Sequence, residues 1–213
     1  MPELSFAVES VAPMRGSATP VLLFRLKVLN AGGEQIHSVA LNCQFQIEAA
    51  ARSYSATEKT SLSDLFGEPE RWGSTVKPLF WTAFSATVPA FHGSTTVDLR
   101  VPCTFDFNIA ATKYFHAVED GEIPVVIFFS GTIFYLAAEG MQIAPIAWSK
   151  QAICRIPAET WKELMRLHYP NTAWLNLRQD VFDRLYRYKV RNGLPTWEQM
   201  MEHVLAAAGE DKR

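Results

Sequence analysis

The residues of this chain that could do acid–base or metal chemistry are scattered along it. The five histidines are His37, His92, His116, His168 and His203. None of them pairs with a second histidine, a cysteine or a carboxylate at a recognised metal-binding spacing such as H-E-x-x-H. We therefore predict no metal site and no cofactor from the sequence.

Three cysteines, Cys43, Cys103 and Cys154, lie far apart, and no pair has the C-x-x-C spacing of a zinc ribbon or a redox motif. Each falls on the apolar side of a segment in which apolar and polar residues alternate. Because a free cysteine behaves as a small hydrophobic residue, we expect all three to be inert buried thiols.

The short motifs of nucleophilic and phosphate chemistry are also missing from the sequence. Ser130 is not preceded by the first glycine of a G-x-S-x-G elbow, and Gly32 and Gly33 precede a strand-like segment rather than a helix. A serine hydrolase elbow and a nucleotide-binding loop are therefore not expected.

The segment from 49 to 76 has no alternation of apolar and polar residues, and it is long for a connection without a function. It contains the sequence LFGEPERWG, in which Glu70, Arg71 and Trp72 are adjacent. Its glutamates could contribute to a carboxylate pair for glycoside hydrolysis, but a sequence does not fix the distance between two carboxylates. Solvated loop side chains are the simpler interpretation.

Tryptophan, tyrosine and arginine contribute more than other residues to binding at protein interfaces. We therefore predict a partner-binding surface that consists of Glu68, Glu70, Arg71, Trp72, Trp81 and His116. In the alternative interpretation the tryptophans cover the ends of the sheets, and His116 lies at the end of a helix.

Alternating apolar and polar residues predict about eight antiparallel strands in the first three quarters of the chain. The strand-like segments are 3–11, 20–30, 35–49, 78–91, 94–107, 122–137 and 141–155, with short helices expected at 61–67 and 108–121. Units of alternating strand and helix are missing, which disfavours a parallel sheet. We predict an antiparallel Ig-like β-sandwich from 1 to 156.

The most apolar segment is 122–137, which contains an unbroken apolar run from Val125 to Phe129. It is too short for a membrane helix, which needs about 20 apolar residues. A strand of this composition is apolar on both faces. We expect one face to meet the opposite sheet and the other to be covered by helices.

The pattern changes to helical spacing after Pro157. We predict three amphipathic helices, one that ends at Pro170, one from about 177 to 191 and one that begins after Thr196. Helices of this size are not stable alone. We therefore predict a helical C-terminal appendage from 157 to 213, packed on the sandwich, and an α+β protein overall.

The charge balance and the N-terminus argue against several partners. The chain has 20 Lys and Arg and 22 Asp and Glu, which gives a net charge of −2, so no nucleic-acid or anionic membrane partner is expected. Asp180 and Asp183 stand four residues before Arg184 and Arg187, and we expect two ion pairs on a solvated helix face. Because no signal peptide precedes the first strand, we expect a cytoplasmic location and no membrane span.

Three stretches of the sequence, DLFGEPERWG, VPCTFDFNIAATKYFHAVEDGEIPVVIFFSGTIF and LPTWEQ, resemble an uncharacterised family of bacterial proteins. The resemblance extends over nearly the whole chain. Members of that family are encoded near nickel–iron hydrogenase genes, which implies an accessory or assembly role. The resemblance implies no activity, no catalytic residues and no cofactor.

We therefore expect a non-catalytic cytoplasmic protein that interacts with another protein, as an accessory or assembly factor for a hydrogenase-type redox complex. The partner would bind at the 62–81 segment and at the helical tail, and a homo-oligomer is compatible with the sequence. The alternative is a small hydrolase or ligand-binding enzyme with a polar cleft between the sandwich and the helices.

Overall fold

Alternating side chains fold the first part of the chain into strands that pair in an antiparallel manner. The computed structural model describes residues 1–104, 109–172, 175 and 177–210. Within these residues the strands are β1 Leu4–Pro13, β2 Val21–Asn30, β3 Gln35–Ile47, β4 Leu79–Val88, β5 Ser94–Pro102, β6 Glu122–Ala137, β7 Gly140–Pro145 and β8 Gln151–Pro157. The helices are α1 Ala56–Ser61, α2 Ser63–Phe66, α3 Trp72–Thr75, α4 Ile109–Ala117, α5 Ala158–His168, α6 Gln179–Arg191 and α7 Trp197–Ala207.

The strands form two antiparallel sheets. The smaller sheet has the order β1-β2-β5, and the larger sheet has the order β4-β3-β6-β7, with β8 also paired to β6. Strand β6 is long enough to pair with both, since Glu122–Phe128 pairs with β8 and Thr132–Ala137 pairs with β7. The single strand expected at 141–155 is therefore two strands, because the chain turns between them and Lys150 N donates to Ala147 O.

The two sheets pack face to face, which confirms the predicted mainly β, antiparallel architecture. Phe6 of the smaller sheet stacks on Phe129 of the larger one at 4.2 Å between ring centroids. Phe24 meets Phe45 edge to face at 5.1 Å. Each of these rings is buried, and burial of such a side chain stabilises the fold by about 1.5–3 kcal/mol.

Helix α5 packs against β1 and β8, and it belongs to the same compact unit as the sheets. Its Trp161 stacks on Phe115 of α4 at 4.3 Å. This unit spans Met1–Thr172, so the expected boundary after residue 156 falls inside it. The second unit, Ala173–Arg213, contains α6 and α7, and the expected packing of these helices on the sandwich stays a prediction. The end of the strand expected at 94–107 and the first residue of the helix expected at 108–121 lie outside the described residues.

Gly131 allows β3 and β6 to approach each other. Its φ is +136°, a backbone conformation that side chains disfavour, and a Cβ atom there would overlap the carbonyl oxygen of Ala40 in β3. Gly140, at the start of β7, also has a positive φ, +108°, but no heavy atom lies within 4 Å of its Cβ position.

We expect Gly131→Ala to lower the free energy of unfolding by about 2 kcal/mol more than Gly140→Ala does. Both substitutions strain the backbone, but only the first forces β3 away from β6. Urea denaturation of the full chain, followed by far-ultraviolet circular dichroism, measures the difference. Equal losses at the two positions would show that the close approach at Ala40 is not required.

Candidate functional site

The connection between β3 and β4 folds into short helical segments rather than an open loop. It contains a 3₁₀ turn at Ala49–Ala51, helices α1 and α2, a second 3₁₀ turn at Pro69–Arg71, and α3. The expected short helix is present as α2, and Gly67 follows it with a φ of 77°. The expectation that this connection has structure of its own is confirmed.

A buried ion pair fixes this connection to the end of α4. Glu58 is 2% exposed, and its Oε1 accepts hydrogen bonds from Arg52 Nη2 at 2.8 Å and from the backbone N–H of Glu119 at 3.0 Å. Its Oε2 accepts from the backbone N–H of Ser55 at 2.8 Å, and Ser55 Oγ accepts from the N–H of Glu58. The guanidinium of Arg52 also donates to the carbonyl of Asp120. The carboxylate thus caps α1 and at the same time holds the segment after α4.

An aromatic cluster lies next to this ion pair. The Tyr54 hydroxyl donates to the carbonyl of Ala49 at 2.5 Å, so the Tyr114 hydroxyl, 2.8 Å away, donates to the Tyr54 oxygen. Burial raises the pKa of both phenols, and both therefore stay protonated. Phe66 and Trp72 complete the cluster, each meeting a tyrosine ring edge to face.

Most of the predicted surface residues lie around this cluster. Glu68, Glu70 and Arg71 are exposed on and beside the second 3₁₀ turn. Trp72 is half-buried, and its indole Nε1 donates to the carbonyl of Gly67 at 2.8 Å. His116 is exposed on α4, two residues after Tyr114 of the cluster. The structure therefore brings the 68–72 segment and α4 to the same end of the sheets.

Trp81 is a correction, because it is 3% exposed and lies in the core. Its ring packs against Phe24, Phe45 and Phe115 at 4.9–6.0 Å between centroids. The β3–β4 register shifts between Phe45, which pairs with Thr82, and Gln46, which pairs with Phe80, so Trp81 is the extra residue of a bulge. This bulge turns the indole inward, so Trp81 does not contribute to a binding surface.

A shallow polar depression, wide open to solvent, lies beside the Arg52–Glu58 pair. It has a volume of about 790 Å³, and the charged residues that line it are Arg52, Asp120, Glu122 and Arg155. Two of them form an ion pair, with 3.8 Å between Arg155 Nη1 and Glu122 Oε2. His116 is not among the lining residues, and no histidine, cysteine and carboxylate group in the described part of the chain is arranged to hold a metal ion.

The cysteines have the environments of packing residues. Cys43 and Cys103 are buried, Cys154 is half-buried, and all three are free thiols. Burial raises the pKa of each to about 12, so little thiolate forms at neutral pH.

The outer face of the larger sheet is a second candidate surface, which lies outside the site residues predicted from the sequence. Alternate residues of β6, such as Ile127 and Phe129, point into the core, so the residues between them point outward. In the sheet register Ile143 lies opposite Phe134, and Ile153 lies opposite Val126. We define the apolar sheet face as Val126, Phe128, Phe134, Leu136, Met141, Ile143 and Ile153.

Within the apolar sheet face, Leu136, Met141, Ile143 and Ile153 are exposed, Phe128 and Phe134 are half-buried, and Val126 is buried. The expectation that helices cover the second face of 122–137 stays a prediction. Ile143 is 68% exposed and Ile153 is 67% exposed. The outer face of the smaller sheet has a different character, with the exposed ion pairs Arg25–Asp98 and Lys27–Glu9, each at 3.8 Å. The two outer faces of one sandwich therefore differ in polarity.

These features define a mainly β protein of two antiparallel sheets, with a helical β3–β4 connection and a separate pair of C-terminal helices. The chain belongs to a family of unknown function, DUF6084, which it matches over residues 1–213. No curated protein matches the chain. No helix within the described ranges is long and apolar enough to cross a membrane.

Solved structures resemble the chain only distantly. A late embryogenesis abundant protein, solved in solution, is 15% identical, with 74% of this chain and 71% of that chain covered and a TM-score of 0.33. A CARDB domain from Pyrococcus furiosus, solved with di-metal ions, is 8% identical, with 73% and 87% covered and a TM-score of 0.30. A β-glucosidase from Kluyveromyces marxianus is 10% identical, with 73% and 15% covered and a TM-score of 0.27.

Two features of the site were not predicted from the sequence, α1 and the exposed outer face of β6, and the chain carries a clear signal only for α1. The Ser55-x-x-Glu58 spacing is that of a capping box and could have located α1. The two apolar faces of 122–137 were recognised, but nothing in a single sequence tells which of them stays open.

We expect Glu58→Ala to lower the free energy of unfolding by about 3–5 kcal/mol, because it leaves the Arg52 guanidinium buried without its carboxylate. The matched control is Lys59→Ala, an exposed neighbour on the same helix, which should change stability by less than about 0.5 kcal/mol. Adding Arg52→Met to Glu58→Ala should recover part of the lost free energy of unfolding. Urea denaturation measures all three, and similar values for Glu58→Ala and Lys59→Ala would contradict the role of the ion pair.

Proposed function

We propose that this protein is a non-catalytic, cytoplasmic protein-interaction factor that binds its partner through the apolar sheet face. The observation that carries the proposal is the exposure of Ile143 and Ile153 on one outer face of the sandwich, next to other apolar residues of the same face. A monomeric protein rarely exposes a contiguous apolar patch larger than roughly a few hundred Å², and patches above that size mark interaction sites.

The arrangement of the apolar sheet face has the anatomy of an interface. Across the sheet, Phe128 lies opposite Gln44 on β3 and opposite Gln151 on β8. Polar side chains thus border the apolar residues, as in a typical interface with an apolar centre and a polar rim. The outer face of the smaller sheet, by contrast, is charged and exposed to solvent.

The predicted surface at the β3–β4 connection is a second contact in this proposal. Trp72 belongs to the aromatic cluster, Glu68, Glu70 and Arg71 precede it in the chain, and His116 lies on α4 two residues after Tyr114. Arginine and tryptophan contribute strongly to interfaces. The buried Glu58 carboxylate fixes the first part of the same connection to the segment after α4, and a preorganised connection lowers the entropic cost of binding.

The Ig-like assignment of the sandwich is also a proposal. If β1 to β6 are lettered A, B, C, C′, E and F, and the β7–β8 pair takes the place of G, the sheets read A-B-E and C′-C-F-G. That division of strands follows the immunoglobulin pattern without strand D. In this lettering the apolar sheet face is the outer face of the C′-C-F-G sheet.

The resemblance of the motif stretches suggests which partner to examine first. We propose an accessory or assembly role in a hydrogenase-type redox complex, and the components of that complex are the first candidates for a bound partner.

The test is affinity purification of the full-length protein from its native host. We expect a stoichiometric partner to bind the wild-type chain and to be lost when Ile143→Asp and Ile153→Asp are combined. The matched control is Thr96→Asp, which also adds a carboxylate to an exposed strand position but lies on the outer face of the smaller sheet. A partner that is retained by the double variant and lost from the control would contradict the proposal.

We expect Arg71→Ala to weaken binding to that partner by about 1 kcal/mol or more while leaving stability unchanged, because Arg71 is exposed. The control is Lys77→Ala, an exposed basic residue after α3. Trp72 is less suitable, since its indole packs within the cluster. Isothermal titration calorimetry with the purified partner compares the two variants, and equal affinities would remove the β3–β4 connection from the interface.

A further inference from the structure

Strand β4 forms one edge of the larger sheet. Among the described residues it pairs with β3 alone, so over 82–88 its other side presents N–H and C=O groups without a partner strand. The described part of the second unit is helical, and it contains no strand that could complete this edge. An open strand edge is a template for pairing with another strand.

The edge at β4 lacks the features that protect the other strand edges within the described ranges. Charged residues, prolines and bulges discourage pairing at an edge. β1 has a bulge after Val8, β5 contains Asp98, β7 ends at Pro145 and β8 ends at Pro157. The sequence of β4, LFWTAFSATV, has no charged residue and no proline. Its bulge precedes 82–88, whose register with β3 is continuous.

Hydrogen bonds elsewhere in the larger sheet show which backbone groups of β4 point to the open edge. Phe129 N donates to Lys150 O, on the side of β6 that lies away from β3. Residues opposite each other in an antiparallel pair either both exchange hydrogen bonds or both do not, and the direction alternates along each strand. Cys43, opposite Phe129, therefore bonds to β4 at Phe84. The alternate residues of β4 point their N–H and C=O groups to the open edge, and they are Ala83, Ser85 and Thr87.

The open edge is complementary to a second copy of itself. With a two-fold axis at Ser85, that residue lies opposite Ser85 of the second copy, and Ala83 lies opposite Thr87. All of these residues face the edge, so each pair exchanges two N–H···O bonds. On the inner side the large Phe84 lies opposite the small Ala86, both of which are half-buried at this edge. No like charges face each other in this register, since 82–88 is uncharged.

We propose that two copies of this chain form a dimer in which their β4 strands pair antiparallel, edge to edge, about a two-fold axis at Ser85. The two larger sheets then become one continuous sheet. A foreign peptide that adds to a sheet edge is selected through pockets for its side chains. The outward side chains of this edge, Ala83, Ser85 and Thr87, are small and exposed, and they favour a second copy over a foreign peptide.

The dimer has a consequence for the apolar sheet face, although the inference does not rest on the proposed function. The two-fold axis of such a dimer is perpendicular to the continuous sheet, so the outer faces of both larger sheets lie on the same side. The two copies of the apolar sheet face would therefore be presented together.

The first test is the oligomeric state of the full-length protein by sedimentation equilibrium. We expect a dimer, and a monomer at all concentrations would overturn the proposal. Ser85→Asp should raise the dimer dissociation constant at least about tenfold, because two carboxylates then face each other at the axis. The matched control, Thr96→Asp, adds the same charge at an exposed position of β5 and should dimerise like the wild-type chain. An unchanged dissociation constant for Ser85→Asp would also overturn the proposal.

A cysteine cross-link tests the register. The Cα atoms of a hydrogen-bonded pair are about 5.5 Å apart, which is within the range of a disulfide, so Ser85→Cys should form a covalent dimer when oxidised with copper–phenanthroline. The control on the same strand is Thr87→Cys, which lies roughly 14 Å from its own copy in this register and should not cross-link. Equal cross-linking of the two variants, or none with Ser85→Cys, would overturn the proposal.

The combined Ile143→Asp and Ile153→Asp variant separates this inference from the proposed function. Both substitutions lie on β7 and β8, which pair with β6 rather than with β4, so this variant should dimerise like the wild-type chain. A dimer that is lost in this variant and retained in Ser85→Asp would overturn edge pairing. Capture of a partner by the apolar sheet face is measured separately, so either proposal can fail alone.

Discussion

The fold depends on covering strand β6, a sixteen-residue strand whose side chains are apolar on both faces. The smaller sheet covers the inner face, where Phe6 stacks on Phe129. Gly131 lets the neighbouring β3 backbone come close enough to complete the larger sheet. On the outer face, Ile143 and Ile153 are exposed. Because β6 is apolar on both faces, its inner face packs the two sheets together and its outer face leaves an apolar surface on the larger sheet.

At the end of the sheets, polar groups hold the helical β3–β4 connection in place. The buried Glu58 carboxylate joins the N-terminus of α1, the Arg52 guanidinium and the segment after α4. A buried ion pair of this kind is costly to break, so it fixes one arrangement of the connection. The described part of the protein thus contains a helical connection fixed by polar contacts, an apolar sheet face and a helical hairpin of α6 and α7 with charged side chains.

Period-two patterns predicted the strands of the two sheets well because one side of each strand is buried. The same rule failed at Trp81, where a bulge in the pairing with β3 shifts the alternation and turns the indole inward. It also failed at 141–155, where one apolar pattern covers two strands that share β6. The Arg52–Glu58 pair and the open face of β6 depend on residues brought together from distant segments, and a single sequence does not specify such contacts.

We propose that the apolar sheet face binds a partner protein. The most direct measurement places a photo-cross-linking amino acid at position 143 of the full-length protein in its native host, with position 96 as the control. The account predicts one defined cross-linked species of higher mass from position 143 and none from position 96. The same product, or no product, from both positions would contradict it.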